Sequence, residues 1–361
     1  MKQLMIFALL CFLLPASAQQ FTVTTDTIHI DGRLYGYTTK NGVSLRATES
    51  REGLYLLINH RESMENWGKN ELLFVDRNSH KVSNIELPDL PIDFTEFRNI
   101  FMRHDSLILK VNAFHENDIS FYEWARKDHD KDDMKAVLNY TLDTYTGQWE
   151  PIKSANDQIY EDSQYWVCYW ECGEWGTYLL FQERKSRKRH LYMGGGRLIK
   201  VGDSYYLVSQ YSISKIDDPR QGKMYRGKKY YKLNKEDFSI PQTVLQLPTP
   251  ERGVIELTKE YLQNDPRTYI CTAFIHDSTL YCIMKSPVGM YVASYQDGAL
   301  HKEMDLGCNY NINRWKGIEL RENNRPDNQV FLHCKDEQRD NPVIITVEGK
   351  KIRITYFCCP N

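Results

Sequence analysis

Three segments of this chain repeat one design. They are Met102-Arg103-His104-Asp105-Ser106-Leu107-Ile108-Leu109, Lys200-Val201-Gly202-Asp203-Ser204-Tyr205-Tyr206-Leu207 and Phe274-Ile275-His276-Asp277-Ser278-Thr279-Leu280-Tyr281. Each is an apolar run, an Asp-Ser tip and a second apolar run. The pattern predicts a β-hairpin, because Asp and Ser side chains bond their own backbone in tight turns. One hairpin used three times along a chain predicts radial repetition of small sheets, an all-β β-propeller. Aromatic residues at 12%, with 24 tyrosines, agree with this, since pleated sheets pack such side chains well.

Strand-like segments fall into six sets. The first holds 43–48, 54–59, 71–76 and 82–87, and the second 97–102, 107–112, 136–142 and 148–152. The third is irregular, with 165–170, 177–182 and 190–193. The fourth holds 198–201, 205–211, 229–233 and 243–247; the fifth 269–275, 279–285, 290–295 and 300–306; the sixth 317–320, 330–335, 343–347 and 352–357. This spacing predicts about six four-stranded blades, with five or seven left open. Residues 21–30 and 34–38 are left over, and one of these segments is expected to complete a terminal blade and latch the ring. In this layout the chain resembles secreted bacterial β-propellers across most of its length. The resemblance is one of architecture and brings no functional motif with it.

The first eighteen residues read as an export signal: Lys2, an apolar stretch Leu4 to Leu14 too short to span a bilayer, and Ala16-Ser17-Ala18 as a small-x-small cleavage site. A mature chain from Gln19 to Asn361 is expected as a single propeller domain, periplasmic or extracellular. Cys11 is a poor lipidation site, because Leu10 precedes it where a small residue is wanted. No later stretch reads as a transmembrane segment. The chain has 46 basic and 48 acidic residues, and losing Lys2 leaves 45 against 48. That balance argues against nucleic acid as a partner.

Nine cysteines are present and eight lie beyond the signal. Export permits disulfides. Cys271 and Cys282 flank the third hairpin; with a two-residue turn at His276-Asp277 they lie opposite and can bridge, whereas a register shift separates them. Cys168 and Cys172 lie too far apart along one extended strand to bridge. The vicinal Cys358-Cys359 pair would need distant partners. Partial oxidation is the simpler expectation.

The densest constellation is Tyr165 to Trp175, with three tryptophans, two tyrosines and two glutamates in eleven residues. Indole and phenol faces stack on sugar rings, while carboxylates bond hydroxyls or protonate a glycosidic oxygen. Packing between blades is the competing explanation for the tryptophans, so Glu171 and Glu174 are the better site candidates. The run Arg184-Lys185-Ser186-Arg187-Lys188-Arg189-His190 carries charge suited to carboxylates or sulfates, although such runs are commonly solvated loop surface. The Gly194-Gly195-Gly196 triplet lacks the Lys-Ser/Thr of a phosphate loop and reads as a turn or a close backbone approach. Phe97-Arg98-Asn99-Ile100 only partly matches a sialidase motif, lacking its proline, and no Ser-x-Asp-x-Gly-x-Thr-Trp turn occurs. No metal-ligand spacing, nucleophile elbow or cofactor fingerprint is present, so no cofactor or metal is expected. Asn139-Tyr140-Thr141 is a glycosylation sequon within a predicted strand.

Two functional readings follow. In the first, an exported propeller engages a polysaccharide or glycan as a glycoside hydrolase or polysaccharide lyase. Glu171 or Glu174 is then the catalytic acid/base, Arg98, His190, Arg187 and Arg189 hold anionic groups, and Trp175 stacks. In the second, a non-catalytic scaffold recognises an envelope or cell-surface protein.

Overall fold

A computed structural model of the chain describes residues 21–32, 34, 43–61, 67–88, 94–103, 105–114, 137–143, 146–152, 158–171, 177–225, 254–256, 268–308, 328–332 and 342–358. After β1 (Thr22–His29), the first sheet holds β2 (Val43–Glu49), β3 (Gly53–Arg61), β4 (Trp67–Asp76) and β5 (Val82–Ile85). The second holds β6 (Phe94–Arg103), β7 (Ser106–Phe114), β8 (Val137–Asp143) and β9 (Gln148–Ile152). The third begins with β10 (Gln158–Glu161), β11 (Tyr165–Glu171), β12 (Thr177–Glu183) and β13 (Arg189–Met193). The fourth holds β14 (Arg197–Val201), β15 (Ser204–Val208) and β16 (Ile213–Ile216). From there the chain turns through Pro219–Gln221 into β17 (Lys223–Tyr225), which joins the third sheet beside β13, and β18 (Val254–Glu256) completes the fourth. The fifth holds β19 (Tyr269–His276), β20 (Thr279–Ser286), β21 (Gly289–Gln296) and β22 (Ala299–Asp305). The sixth holds β23 (Gln329–Leu332), β24 (Val343–Glu348) and β25 (Lys351–Cys358), with β1 added outside β25. Six sheets in a ring make a six-bladed β-propeller, as the repeat predicted, with a fifth strand on blade three.

Period-2 alternation builds the ring. In β3, Leu54, Leu56 and Ile58 face blade six, where they meet Ile344 and Phe357. The intervening Tyr55 and Leu57 face blade two, against Phe97, Ile100 and Leu109. Successive side chains of a strand point to opposite faces, so a strand between two blades must be apolar on both. The same division recurs in β20: Leu280, Cys282 and Met284 pack towards blade four, and Ile283 towards blade six. Among the described residues, buried clusters fill five seams: one–two, three–four, four–five, five–six and six–one.

The three repeated hairpins join β6 to β7, β14 to β15 and β19 to β20, the two innermost strands of blades two, four and five. Their tips hold left-handed residues: Asp105 at φ 62°, Gly202 at 58°, and Asp277 and Ser278 at 47° and 60°. Such φ values match the right-handed twist of the flanking strands. In the third hairpin His276 pairs with Thr279, so its turn is Asp277-Ser278, one residue later than expected. A register shift then falls between Ile270 and Thr272, and Cys282 sits opposite Ala273. Cys271 therefore packs in the blade five–six seam and Cys282 in the four–five seam, and neither forms a disulfide. The expected bridge is absent because the two side chains point to opposite faces of one blade.

β1 pairs with β25 in parallel, from Thr22↔Lys351 to His29↔Cys358. The leftover N-terminal segment thus closes the ring. Four strands escaped the sequence patterning: the four-residue β10, with a register shift at Gln158/Tyr160, the four-residue β16, and the three-residue β17 and β18. The strands expected at 229–233, 243–247 and 317–320 lie outside the described residues.

Candidate functional site

Apart from the parallel strand β1, antiparallel order within the blades divides the ring into two faces. The links that lead into an inner strand, and those joining second to third strands, emerge at one end, here called the start face. The first-to-second and third-to-fourth turns emerge at the other, the turn face. β11 reaches the start face at Glu171, and β12 leaves it at Thr177, its register partner. Tyr165 and Glu183 pair at the turn-face end of the same two strands. Six residue steps separate the ends, about 20 Å.

This division splits the residues singled out by sequence. Glu171 ends β11 at the start face, its side chain outside the described set; Glu174 and Trp175 lie outside the described residues altogether. Arg98 occupies the register shift between Phe97 and Asn99 in the inner strand β6, its side chain likewise undescribed. Beside that shift Asn59 of blade one donates from Nδ2 to the Phe97 carbonyl at 2.7 Å. Arg187, Arg189 and His190 stand at the turn face. The structure therefore does not gather these three with Glu171.

His190 is buried, with Nε2 2.9 Å from Glu183 Oε1. Glu183 also accepts from Ser186 Oγ at 2.5 Å, and Ser186 followed by His190 holds its carboxyl below the usual range. Arg189 Nε donates to Gln182 Oε1 at 2.9 Å. The Trp166 ring has the guanidinium carbons of Arg184 and Arg187 at 5.1 and 4.7 Å from its centroid. These distances are those of cation–π contacts, so Trp166 carries its own cations.

Sequence reasoning missed a polar junction at the start of the inner strands. Arg197, the first residue of β14 and buried, donates from Nη1 to Thr272 Oγ1 on β19 at 3.1 Å. Its Nη2 donates to Asn328 Oδ1, just before β23, at 2.5 Å. One guanidinium thus ties blade four to blades five and six. Lys285, at the start-face end of β20, is also buried and donates to the Ser286 carbonyl. The available signal was the glycine triplet before Arg197. A Cβ on Gly196 would lie 2.2 Å from the Val208 carbonyl, so the triplet marks a close backbone approach that seats Arg197.

A second missed junction sits on the turn face between blades three and four. Asp162 accepts from Lys200 Nζ at 2.7 Å, Tyr205 Oη at 2.6 Å and the backbone N–H groups of Gln164 and Tyr165. Burial pushes its carboxyl up, but these hydrogen bonds outweigh burial and bring it down to about 2. Burial, then the bond to Asp162, pushes the Tyr205 phenol well above its ordinary value; burial takes Tyr160 to about 12. Among the described residues no three His, Cys, Asp or Glu side chains gather as metal ligands, and no helix is long and apolar enough to cross a membrane.

Fold and junctions together define a six-bladed β-propeller whose inner strands converge on buried polar side chains. No known protein family and no curated protein sequence matches the chain. Among solved structures it aligns with cobalt-substituted Synechocystis apocarotenoid oxygenase at 12% identity and a TM-score of 0.28, covering 49% of this chain and 48% of that one. A prolyl endopeptidase aligns at 9% identity and 0.33, covering 86% of this chain and 47% of the other. An exo-1,5-α-L-arabinanase from a bovine ruminal metagenomic library aligns at 10% identity and 0.33, covering 74% and 98%. The chain thus spans about half the length of the first two. Likeness at these TM-scores carries nothing about activity, and the fold rests on the strand pairing itself.

Proposed function

We propose that this protein is an exported propeller that engages a carbohydrate at its start face, as a glycoside hydrolase or polysaccharide lyase. One observation carries the reading: the aromatic and acidic strand β11 ends at the start face with Glu171, and the connection bearing Glu174 and Trp175 begins there. Arg197 marks the same face as a place where inner strands present polar groups. In this proposal Glu171 or Glu174 exchanges the proton with the glycosidic oxygen, Trp175 stacks on a sugar ring, and Arg98 holds an acidic substituent. His190, Arg187 and Arg189 take no part, because they belong to the opposite face.

The test is a glycan array combined with a depolymerisation screen on neutral and acidic polysaccharides. The expected result is binding of at least one glycan, with cleavage lost in Glu171→Gln or Glu174→Gln. Absence of both binding and cleavage removes the proposal. Recovery of one stoichiometric envelope protein in a pull-down would then replace it with a recognition scaffold. Export is tested separately: the N-terminus of the protein recovered from its host should be Gln19.

A further inference from the structure

The basic turn between β12 and β13 stands apart from the start face. Its backbone is closed by Glu183 N–H donating to the Lys188 carbonyl at 2.8 Å and Arg187 N–H donating to the Glu183 carbonyl at 3.0 Å. Ser186 Oγ accepts from the Lys188 N–H at 3.2 Å while donating to Glu183. Arg187 is left-handed at φ 59°, and with Arg184 its guanidinium flanks the Trp166 ring. The turn is therefore ordered from both backbone and side chains.

Its nearby carboxylates are already engaged. Glu161 pairs with Arg184 at 2.8 Å, Glu183 holds Ser186 and His190, and Asp162 holds Lys200 and Tyr205. Lys185, Arg187 and Lys188 are exposed, and among the described residues none of the three forms an ion pair. Three exposed cations without an ion pair, Arg187 lying over Trp166 and Lys188 near Glu183, thus project from one ordered turn of a chain whose net charge is −2.

We propose that this turn is a docking site for a linear anionic polysaccharide, carboxylated or sulfated, distinct from the start-face site and independent of that reading. Guanidinium and ammonium groups pair with carboxylates and sulfates, and a pre-ordered arginine loses less freedom on pairing. The charge is confined to a single turn beside Glu161 and Glu183, unlike the basic stripe that tracks a nucleic acid. No apolar side chain accompanies it at the tip, as insertion at a membrane surface would require.

The test is affinity electrophoresis of the full chain in gels containing polygalacturonate, heparin or neutral dextran. Retardation is expected in at least one anionic gel, weakening with salt, and none in dextran. The K185E/R187E/K188E variant should bind about tenfold more weakly or worse, since three exposed pairs of about 0.5 kcal/mol each are lost. Its thermal midpoint should fall by no more than about a few degrees, from loss of the exposed Arg187–Trp166 contact and added repulsion beside Glu183, and Lys81→Glu, at an exposed blade-one position, should bind as the parent does. No retardation in either anionic gel overturns the proposal, as does a triple variant that migrates like the parent. Equal retardation by duplex DNA or by anionic vesicles overturns the assignment to a polysaccharide.

Discussion

A carboxylate with no exposed surface persists in a protein interior when its lone pairs are filled and its charge is met. Glu49 is such a group. Oε1 accepts from Thr346 Oγ1 and from Arg353 Nε at 3.0 Å; Oε2 accepts from Thr355 Oγ1 at 2.8 Å and Arg77 Nη2 at 2.9 Å. Arg77 also pairs with Asp26 on β1, and Gln329 brackets the Glu49 backbone with bonds of 2.9 and 2.7 Å. Removing one partner from a buried ionic network costs about 3–5 kcal/mol. Both arginines keep some solvent access, so Glu49→Ala is expected at the lower end, about 3 kcal/mol in urea unfolding. Glu348 is largely exposed and 3.7 Å from the same Arg353; Glu348→Ala should cost under about 0.5 kcal/mol. Asp162 supplies a pH test. Its folded pKa of about 2 lies below the unfolded value of about 3.9. Its contribution is therefore complete above pH ~4 and lost as pH falls through ~2. Unfolding free energy measured across that window should fall less steeply in Asp162→Asn than in the parent; equal slopes would refute the junction's role.

At the scale of elements, turns make the sharpest predictions. Ser278 at φ 60° carries the penalty of about 1 kcal/mol that a left-handed conformation imposes on a side chain. Ser278→Gly should raise the denaturation midpoint slightly, because glycine's greater unfolded freedom offsets part of the gain. Gly196→Ala should destabilise by about 2 kcal/mol or more, since its Cβ would meet the backbone of β15, which cannot rotate away. The hairpins and most blade boundaries were legible in the chain because alternation and turn chemistry are local signals. β10, β16, β17 and β18 were not: strands of four or three residues are too short to show a period, and β17 gains its place only by pairing with a strand from another blade. There Tyr192 Oη donates to the Asp218 and Pro219 carbonyls, anchoring the chain as it crosses from blade four to blade three. The Cys271–Cys282 expectation failed for a similarly non-local reason. A one-residue displacement of the turn and a later register shift reversed one side chain's face.

The whole ring depends on β1. It places Phe21 in the five–six seam and Ile28 and Ile30 in the six–one seam, and it covers the edge of β25. Burying three such side chains is worth about 5–9 kcal/mol, comparable to the entire stability of an ordinary domain. A chain lacking residues 21–30 should lose cooperative unfolding and self-associate through the bared β25 edge. Size-exclusion chromatography and circular dichroism test this, and a monomer with the parent's spectrum would show that closure does not need β1. The sequence by itself determined that the chain is a repeat of small antiparallel sheets, because two-residue periodicity and left-handed turns are written within a few neighbouring residues. Only the tertiary structure decided which seam each strand face fills, that β1 joins the last blade, and that Arg187, Arg189 and His190 stand towards the opposite end of blade three from Glu171. Those outcomes depend on which end of a blade a residue reaches and which blade packs beside it. Such relations link positions hundreds of residues apart and leave no mark in any local stretch of sequence.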